Sequence, residues 1–283
     1  MLRSNRRSVP QAVRWEVMAV PVLAVFIVFA ATSVSFGQAY TLNPKTAEEA
    51  IDQIVWANRI LANENIFDYL GHVSVRNPEN AKTFFMARGI APSTVTKKDI
   101  LELDQEGNVL TKNPLGRPYG ERVIHAAIYR DRPDVNSVIH AHPQPAVILS
   151  ISKVPFQIIF HPASVFHEGV PLFKDYDFSP KGGGMLIRKM HEGDLISKTL
   201  GKARGMLMWA HGANVVGKSV PNACQDIIAM RDNIVMLLSA RQFGEVTALP
   251  PEQARIAATH LSGPERAWGA WVMNVRKNMP DMK

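Results

Sequence analysis

The chain has 283 residues, 46% of them hydrophobic and 20% charged, with a formal net charge of +7. That length and balance exclude a disordered or fibrous chain and leave room for a full hydrophobic core in one main catalytic domain. No Lys/Arg run interleaved with aromatics follows residue 39, which argues against nucleic acid as a partner.

At the N-terminus, Arg3, Arg6, Arg7 and Arg14 precede an uncharged run from Val17 to Phe36, which ends at Gly37-Gln38-Ala39. A basic stretch, an apolar stretch and small residues in that order predict an export signal over residues 1–39. The alternative is an uncleaved membrane anchor, and either reading exports the remainder to the periplasm or the exterior. Arg6-Arg7 also gives a partial twin-arginine match. Removing four arginines and Glu16 lowers the formal charge from +7 to +4. Cys224 is the only cysteine, so an exported chain has no internal disulfide framework and relies on its core or on association; the apolar pattern around it predicts a buried helix face.

From residue 40 the pattern reads as one domain to 262, with a tail over 263–283 that packs on it. Ala50, Ile51, Ile54, Val55, Ala57, Ile60 and Leu61 have helical spacing within a helix over 46–63, with Glu48 and Glu49 in its first turn. Residues 72–76 and 83–87 alternate around Asn77-Pro78-Glu79-Asn80 and predict a hairpin. A capped turn is expected over 96–100, and a pair of short strands over 100–110 that turns at 105–108. Then come a helix over 121–130, a strand over 135–141, a helix over 145–151, short strands over 156–160 and 170–173, and a helical stretch over 194–202. An apolar strand over 206–209 ends at Ala210-His211-Gly212, Val215-Val216 pairs onward, and a long helix runs from Pro221 to about Phe243. Lys181-Gly182-Gly183-Gly184 reads as a flexible loop. Trp268 and Trp271 have packing spacing in the tail. Helices around a largely antiparallel sheet predict a three-layer α/β/α sandwich.

His140-Ala141-His142 carries the most chemical information. Side chains two apart on a strand share a face, so both imidazoles can reach one ion. His211 also sits where an apolar strand runs out, beside Gly212, which permits close backbone approach. Three histidines leave a coordination position open, as catalytic zinc sites require. Glu121, at the start of a helix, places an acid near that strand end, the arrangement for moving a proton beside a carbonyl.

Glu121, His125, the run from Tyr129 to His142, and Ala210-His211-Gly212 resemble, in order and spacing, the class II aldolase/adducin family over about 46–244. The resemblance implies that His140, His142 and His211 bind a divalent metal, zinc by preference with Mn2+ or Mg2+ as alternatives, and that Glu121 is the acid/base or a resting fourth ligand. It further implies a homo-oligomer, a tetramer with active sites between subunits, and a small-molecule substrate.

Gly71-His72-Val73-Ser74-Val75-Arg76 replaces the Gly-Asn-Xaa-Ser pattern of the sugar-phosphate aldolases. Ala91-Pro92-Ser93-Thr94 stands where they place a phosphate loop, which argues against a phosphorylated substrate. With Phe160-His161-Pro162 and Glu265-Arg266-Ala267-Trp268, these segments resemble the branch that includes hydroxy-carboxymuconic semialdehyde decarboxylases.

The expected function is therefore a metal-dependent lyase of aldolase or decarboxylase type. It acts on a small hydroxy or keto acid, the metal polarising a carbonyl and holding the enolate left by C–C cleavage. Its alternatives are an adducin-like interaction domain without catalysis and a metal-dependent hydrolase. His72, Arg76, Ser93 and His161 are candidate substrate contacts. His125, one turn after Glu121, is expected to orient that carboxylate or to pack; His167, His191 and His260 are expected to be solvated.

Overall fold

The first described helix, α1 (Ala47–Asn63), begins at a reciprocal cap in which Thr46 accepts the Glu49 N–H while the Glu49 carboxylate reaches back to the Thr46 N–H. This computed structural model describes residues 42–282, and the expected export segment over 1–39 lies outside the described residues. Among those described, no helix is long and apolar enough to cross a membrane.

The predicted hairpin forms from β1 (His72–Arg76) and β2 (Thr83–Ala87), antiparallel with Ser74 opposite Met86. Strand β3 (Ile100–Asp104) adds to β2 after the expected capped turn, where Thr96 and Asp99 cap each other. The second strand expected before Leu110 is reduced to one bridge, Leu103 to Val109. Asp104 Oδ1 accepts the N–H groups of Glu106 and Asn108, which closes a tight turn through Gly107 at φ +80°. The Glu102 N–H then goes to the Thr111 hydroxyl at 2.7 Å in place of a backbone carbonyl, and the ladder ends there.

Helix α2 (Arg122–Asp131) leads to β4 (Ser137–Ala141), α3 (Gln144–Ile151), the two-residue β5 (Leu172–Phe173), α4 (Met190–Leu200), β6 (Gly205–Met208) and β7 (Gly212–Gly217). Helix α4 starts four residues before the predicted stretch, because Glu192 accepts the N–H groups of Arg188 and Lys189 and so satisfies its N-terminus. Helix α5 (Val220–Ala240) is capped by Ser219 and carries the buried Cys224.

No strand forms over 156–160. Its polar backbone is satisfied by a side chain instead: Asn233 Oδ1 accepts the N–H groups of Ile159 and Phe160, and Asn233 Nδ2 donates to the Gln157 carbonyl. Helix α6 (Pro251–Thr259) was not expected, and Ala254 is its only buried residue, too little apolar periodicity to read. Helix α7 (Glu265–Asn278) brings Trp268, Val272 and Val275 into the core.

The seven strands among the described residues are ordered β3-β2-β1-β4-β7-β6-β5, with every pair antiparallel except β5 and β6. Alternation splits them cleanly between two cores. Val73, Val75, Ile139, Ala141 and Val215 face the layer of α1, α3, α5 and α7, and Met86, Val138, Met206 and Val216 face α2 and α4. The chain is thus the expected three-layer α/β/α sandwich. By the same alternation, His72, Ser74, His140 and Asn214 lie on the α2 side, as buried polar groups inside an otherwise apolar layer.

Candidate metal centre

Strand register builds the site. His72 pairs with His140 across β1 and β4, and His140 pairs with Asn214 across β4 and β7. His142 follows the end of β4, and the turn between β6 and β7 delivers His211. Two features permit that turn. Ala210 adopts the left-handed region at φ +51°, and a Cβ at Gly212 would lie 2.3 Å from the Ala141 carbonyl oxygen, so only glycine lets β7 approach this closely. The rings of His142 and His211 then stack with centroids 5.2 Å apart.

One ligand atom from each of Glu121, His140, His142 and His211 lies within 4.8 Å of the others. His140 Nε2 is 3.0 Å from His142 Nε2 and 3.5 Å from Glu121 Oε2, while His211 Nε2 is 3.6 Å from Glu121 Oε1. The far edges of two rings are engaged elsewhere. His140 Nδ1 meets Asn214 Oδ1 at 2.8 Å, and as that oxygen only accepts, the ring proton sits on Nδ1. His142 Nδ1 faces Asp68 at 3.4 Å. Lone pairs on Nε2 are therefore turned toward one another, an unfavourable arrangement that a shared cation relieves. Three imidazole nitrogens and a carboxylate, with outer partners fixing the rings, fit a divalent ion of zinc type.

Electrostatics agrees with neutral ligands. Burial first, then the neighbouring histidines, hold His140 well below the ordinary imidazole range. Burial, with His142, lowers His211 to about 4. Burial pushes the Glu121 carboxyl up to about 7, against the Ile187 N–H, which donates to Oε1 at 3.2 Å, and the nearby Arg188 guanidinium.

A cavity of about 530 Å³ opens over these groups, walled by Asp68, Leu70, His72, Tyr119 and Arg188, a size suited to a small molecule.

Of the remaining candidates, only His72 borders this cavity. Arg76 is committed elsewhere: its guanidinium donates to the carbonyls of Val135, Ala81, Tyr129 and Arg132 and stacks on Tyr129, so it braces backbone away from this cavity. Ser93 is exposed on a short 3-10 helix (Pro92–Thr94), and His161 is exposed at the start of another (His161–Phe166); neither borders the cavity. His125 does not orient Glu121; it bonds His72 and Ser74.

Asp68, Tyr119, Arg188 and Asn214 escaped the sequence reading. Asn214 had a signal, as one amide inside the apolar run Ala213-Asn214-Val215-Val216. Arg188 and Asp68 lie in loops that only tertiary folding brings together.

The profile of the Class II Aldolase and Adducin N-terminal domain matches residues 52–238. Decarboxylase tropJ of Talaromyces stipitatus is 31% identical over 199 residues, covering 64% of this chain and 74% of that protein. The 3,4-dihydroxyphthalate decarboxylase of Arthrobacter keyseri is 26% identical over 244 residues, covering 82% and 94%. An L-fuculose 1-phosphate aldolase from Glaciozyma antarctica superimposes with a TM-score of 0.68 at 24% identity, over 84% of this chain and 94% of that one, a likeness of fold. Taken with the residues gathered on β4 and β7, the match assigns the chain to the class II aldolase and adducin family.

Proposed function

We propose that this protein is a metal-dependent carbon–carbon lyase that decarboxylates or retro-aldol cleaves a small, non-phosphorylated hydroxy or keto acid. The observation that carries the reading is the convergence of Glu121, His140, His142 and His211 at the base of a ligand-sized cavity. The decarboxylase names of two relatives favour loss of carbon dioxide over aldol cleavage.

In this reading His140, His142 and His211 hold the ion, zinc by preference. When bound, it supplies Lewis acidity at a substrate carbonyl or hydroxyl oxygen. Glu121 moves the proton: in decarboxylation carbon dioxide leaves, the electron pair stays on the substrate carbon and the Glu121 carboxyl delivers H+ to it; in retro-aldol cleavage the Glu121 carboxylate first takes the hydroxyl proton and then returns it to that carbon. Burial suits it to the task, because it raises the carboxyl to about 7 in the metal-free protein and so favours holding the proton against a nearby positive charge. Arg188, at the cavity wall, supplies positive charge for the substrate's acid group.

Export through residues 1–39 and assembly as a homotetramer belong to the same proposal, supported by the N-terminal pattern and the family resemblance. Glu121→Gln tests the chemistry: a variant that keeps its metal yet releases no carbon dioxide or aldehyde from hydroxy and keto acids supports it. Undiminished turnover would remove Glu121 from the reaction, and a metal-free wild type without turnover would favour an adducin-like binding role.

A further inference from the structure

Behind the cavity wall, a chain of polar side chains crosses the layer between the sheet and α2. His72 Nδ1 lies 2.8 Å from His125 Nε2, His125 Nδ1 lies 2.6 Å from Ser74 Oγ, and Ser74 Oγ lies 2.8 Å from the Tyr129 hydroxyl. All four residues are buried, none more than 1% exposed. His72 and Ser74 are two apart on β1, while His125 and Tyr129 are four apart on α2, so each pair presents one face to the other. None belongs to the proposed ligand set. Apolar side chains would fill this layer without the desolvation cost of four polar groups, so the chain calls for a purpose beyond packing.

Counting protons gives the chain a direction. Among the described residues the buried Tyr129 hydroxyl has Ser74 Oγ as its hydrogen-bond partner, at 2.8 Å. The phenol's own proton therefore goes to Ser74 Oγ. Ser74, having accepted there, donates to His125 Nδ1, and His125 carries its ring proton on Nε2 and donates it to His72 Nδ1. His72 is left with its proton on Nε2, the ring nitrogen free for the cavity that His72 borders. The opposite order strands a buried hydroxyl proton with no acceptor.

The geometry points to a tautomer clamp: Tyr129, Ser74 and His125 hold His72 in its Nε2–H form, so that the cavity carries a fixed hydrogen-bond donor for an anionic oxygen of the bound acid. The His72 ring lies beside that of His140, tilted, with centroids 5.0 Å apart, which sets this donor next to the proposed ion. A ligand with two neighbouring oxygens, as in a hydroxy acid or its enediolate, meets both. The clamp holds a proton and does not pass one on, because relaying it outward would leave Tyr129 as a buried phenolate, a form that burial opposes. Ser74, His125 and Tyr129 are thus positioning residues. The identity of the ligand rests on the lyase reading; the tautomer of His72 does not.

Two measurements on the full mature protein loaded with zinc test the inference. In long-range 15N–1H correlation spectra, with His72 signals assigned by their loss in His72→Gln, wild type is expected to show Nε2 protonated and Nδ1 bare. Ser74→Ala is expected to show a mixture of the two forms. In calorimetric titrations with oxalate, a mimic of paired anionic oxygens, His72→Phe is expected to weaken binding roughly tenfold or more, and His72→Gln, which restores an N–H, to stay within about threefold of wild type.

A protonated Nδ1 in wild type overturns the clamp, and oxalate affinity unchanged in His72→Phe overturns the donor role. If the protein holds no zinc, the lyase reading fails by itself, since the spectra of the metal-free protein still read the tautomer.

Discussion

Asn214 on β7 stands directly opposite His140 on β4, and its side-chain oxygen takes the His140 Nδ1 proton at 2.8 Å. The same amide donates to Met208 Sδ at 3.1 Å, so both its ends are anchored. This pairing turns His140 Nε2 toward Glu121 and His142. Asn214→Leu keeps the branched outline of the side chain, with bulkier methyl groups, and removes the acceptor. Zinc affinity, measured by competition with a chelator, is expected to fall about 10- to 100-fold with little loss of fold.

The close approach of β7 to β4 rests on Gly212, where a Cβ would sit 2.3 Å from the Ala141 oxygen and 3.0 Å from the His142 ring. Gly212→Ala must displace one strand end. Denaturant unfolding is expected to show a loss of roughly 1–3 kcal/mol, together with weaker zinc binding because His142 and His211 no longer stack. An alanine variant with wild-type stability and zinc content would show that the strand end yields freely.

Much of this site was legible before folding. His140-Ala141-His142 on an apolar strand and His211 beside a glycine are local patterns, and strand periodicity alone puts the first two on one face. Polar residues on the neighbouring strands were less readable. Arg76 alternates with His72 and Ser74 on β1 and so resembles a site residue, yet it lies at the far end of the strand, among the backbone carbonyls of Tyr129, Arg132 and Val135. The strand expected over 156–160 failed for a related reason: extended apolar residues had their hydrogen bonds met by Asn233, a side chain more than 70 positions away.

Burial raises the Glu121 carboxyl to about 7 in the metal-free protein. Below that pH a cation must displace a proton from Glu121, so zinc affinity is expected to climb as pH rises from 5 toward about 7 and then to flatten. Glu121→Gln removes the titrating group and should remove most of this slope, as read by calorimetry in two buffers of different protonation enthalpy.

Asp226 offers a stability test remote from the site. It pairs with Arg204 yet is 3% exposed, and burial outweighs the arginine to raise its carboxyl to about 6 from an ordinary 3.8. A folded-state pKa above the unfolded one means that the native protein holds the proton more tightly. This contribution is therefore fully present below about 4 and is lost as pH rises through about 6, on the order of 3 kcal/mol in all. Asp226→Asn should flatten that part of the profile, so the difference in unfolding free energy between wild type and variant is expected to change between pH 4 and 6 and to stay level above 7.

The central claim, a metal centre on His140, His142 and His211, is tested most directly by elemental analysis of residues 40–283 beside the His140→Ala/His142→Ala double variant. The account predicts close to one divalent ion per chain in wild type and almost none in the variant, with both proteins folded by circular dichroism. A folded wild type that carries no metal and takes up none of zinc, manganese or magnesium would contradict it.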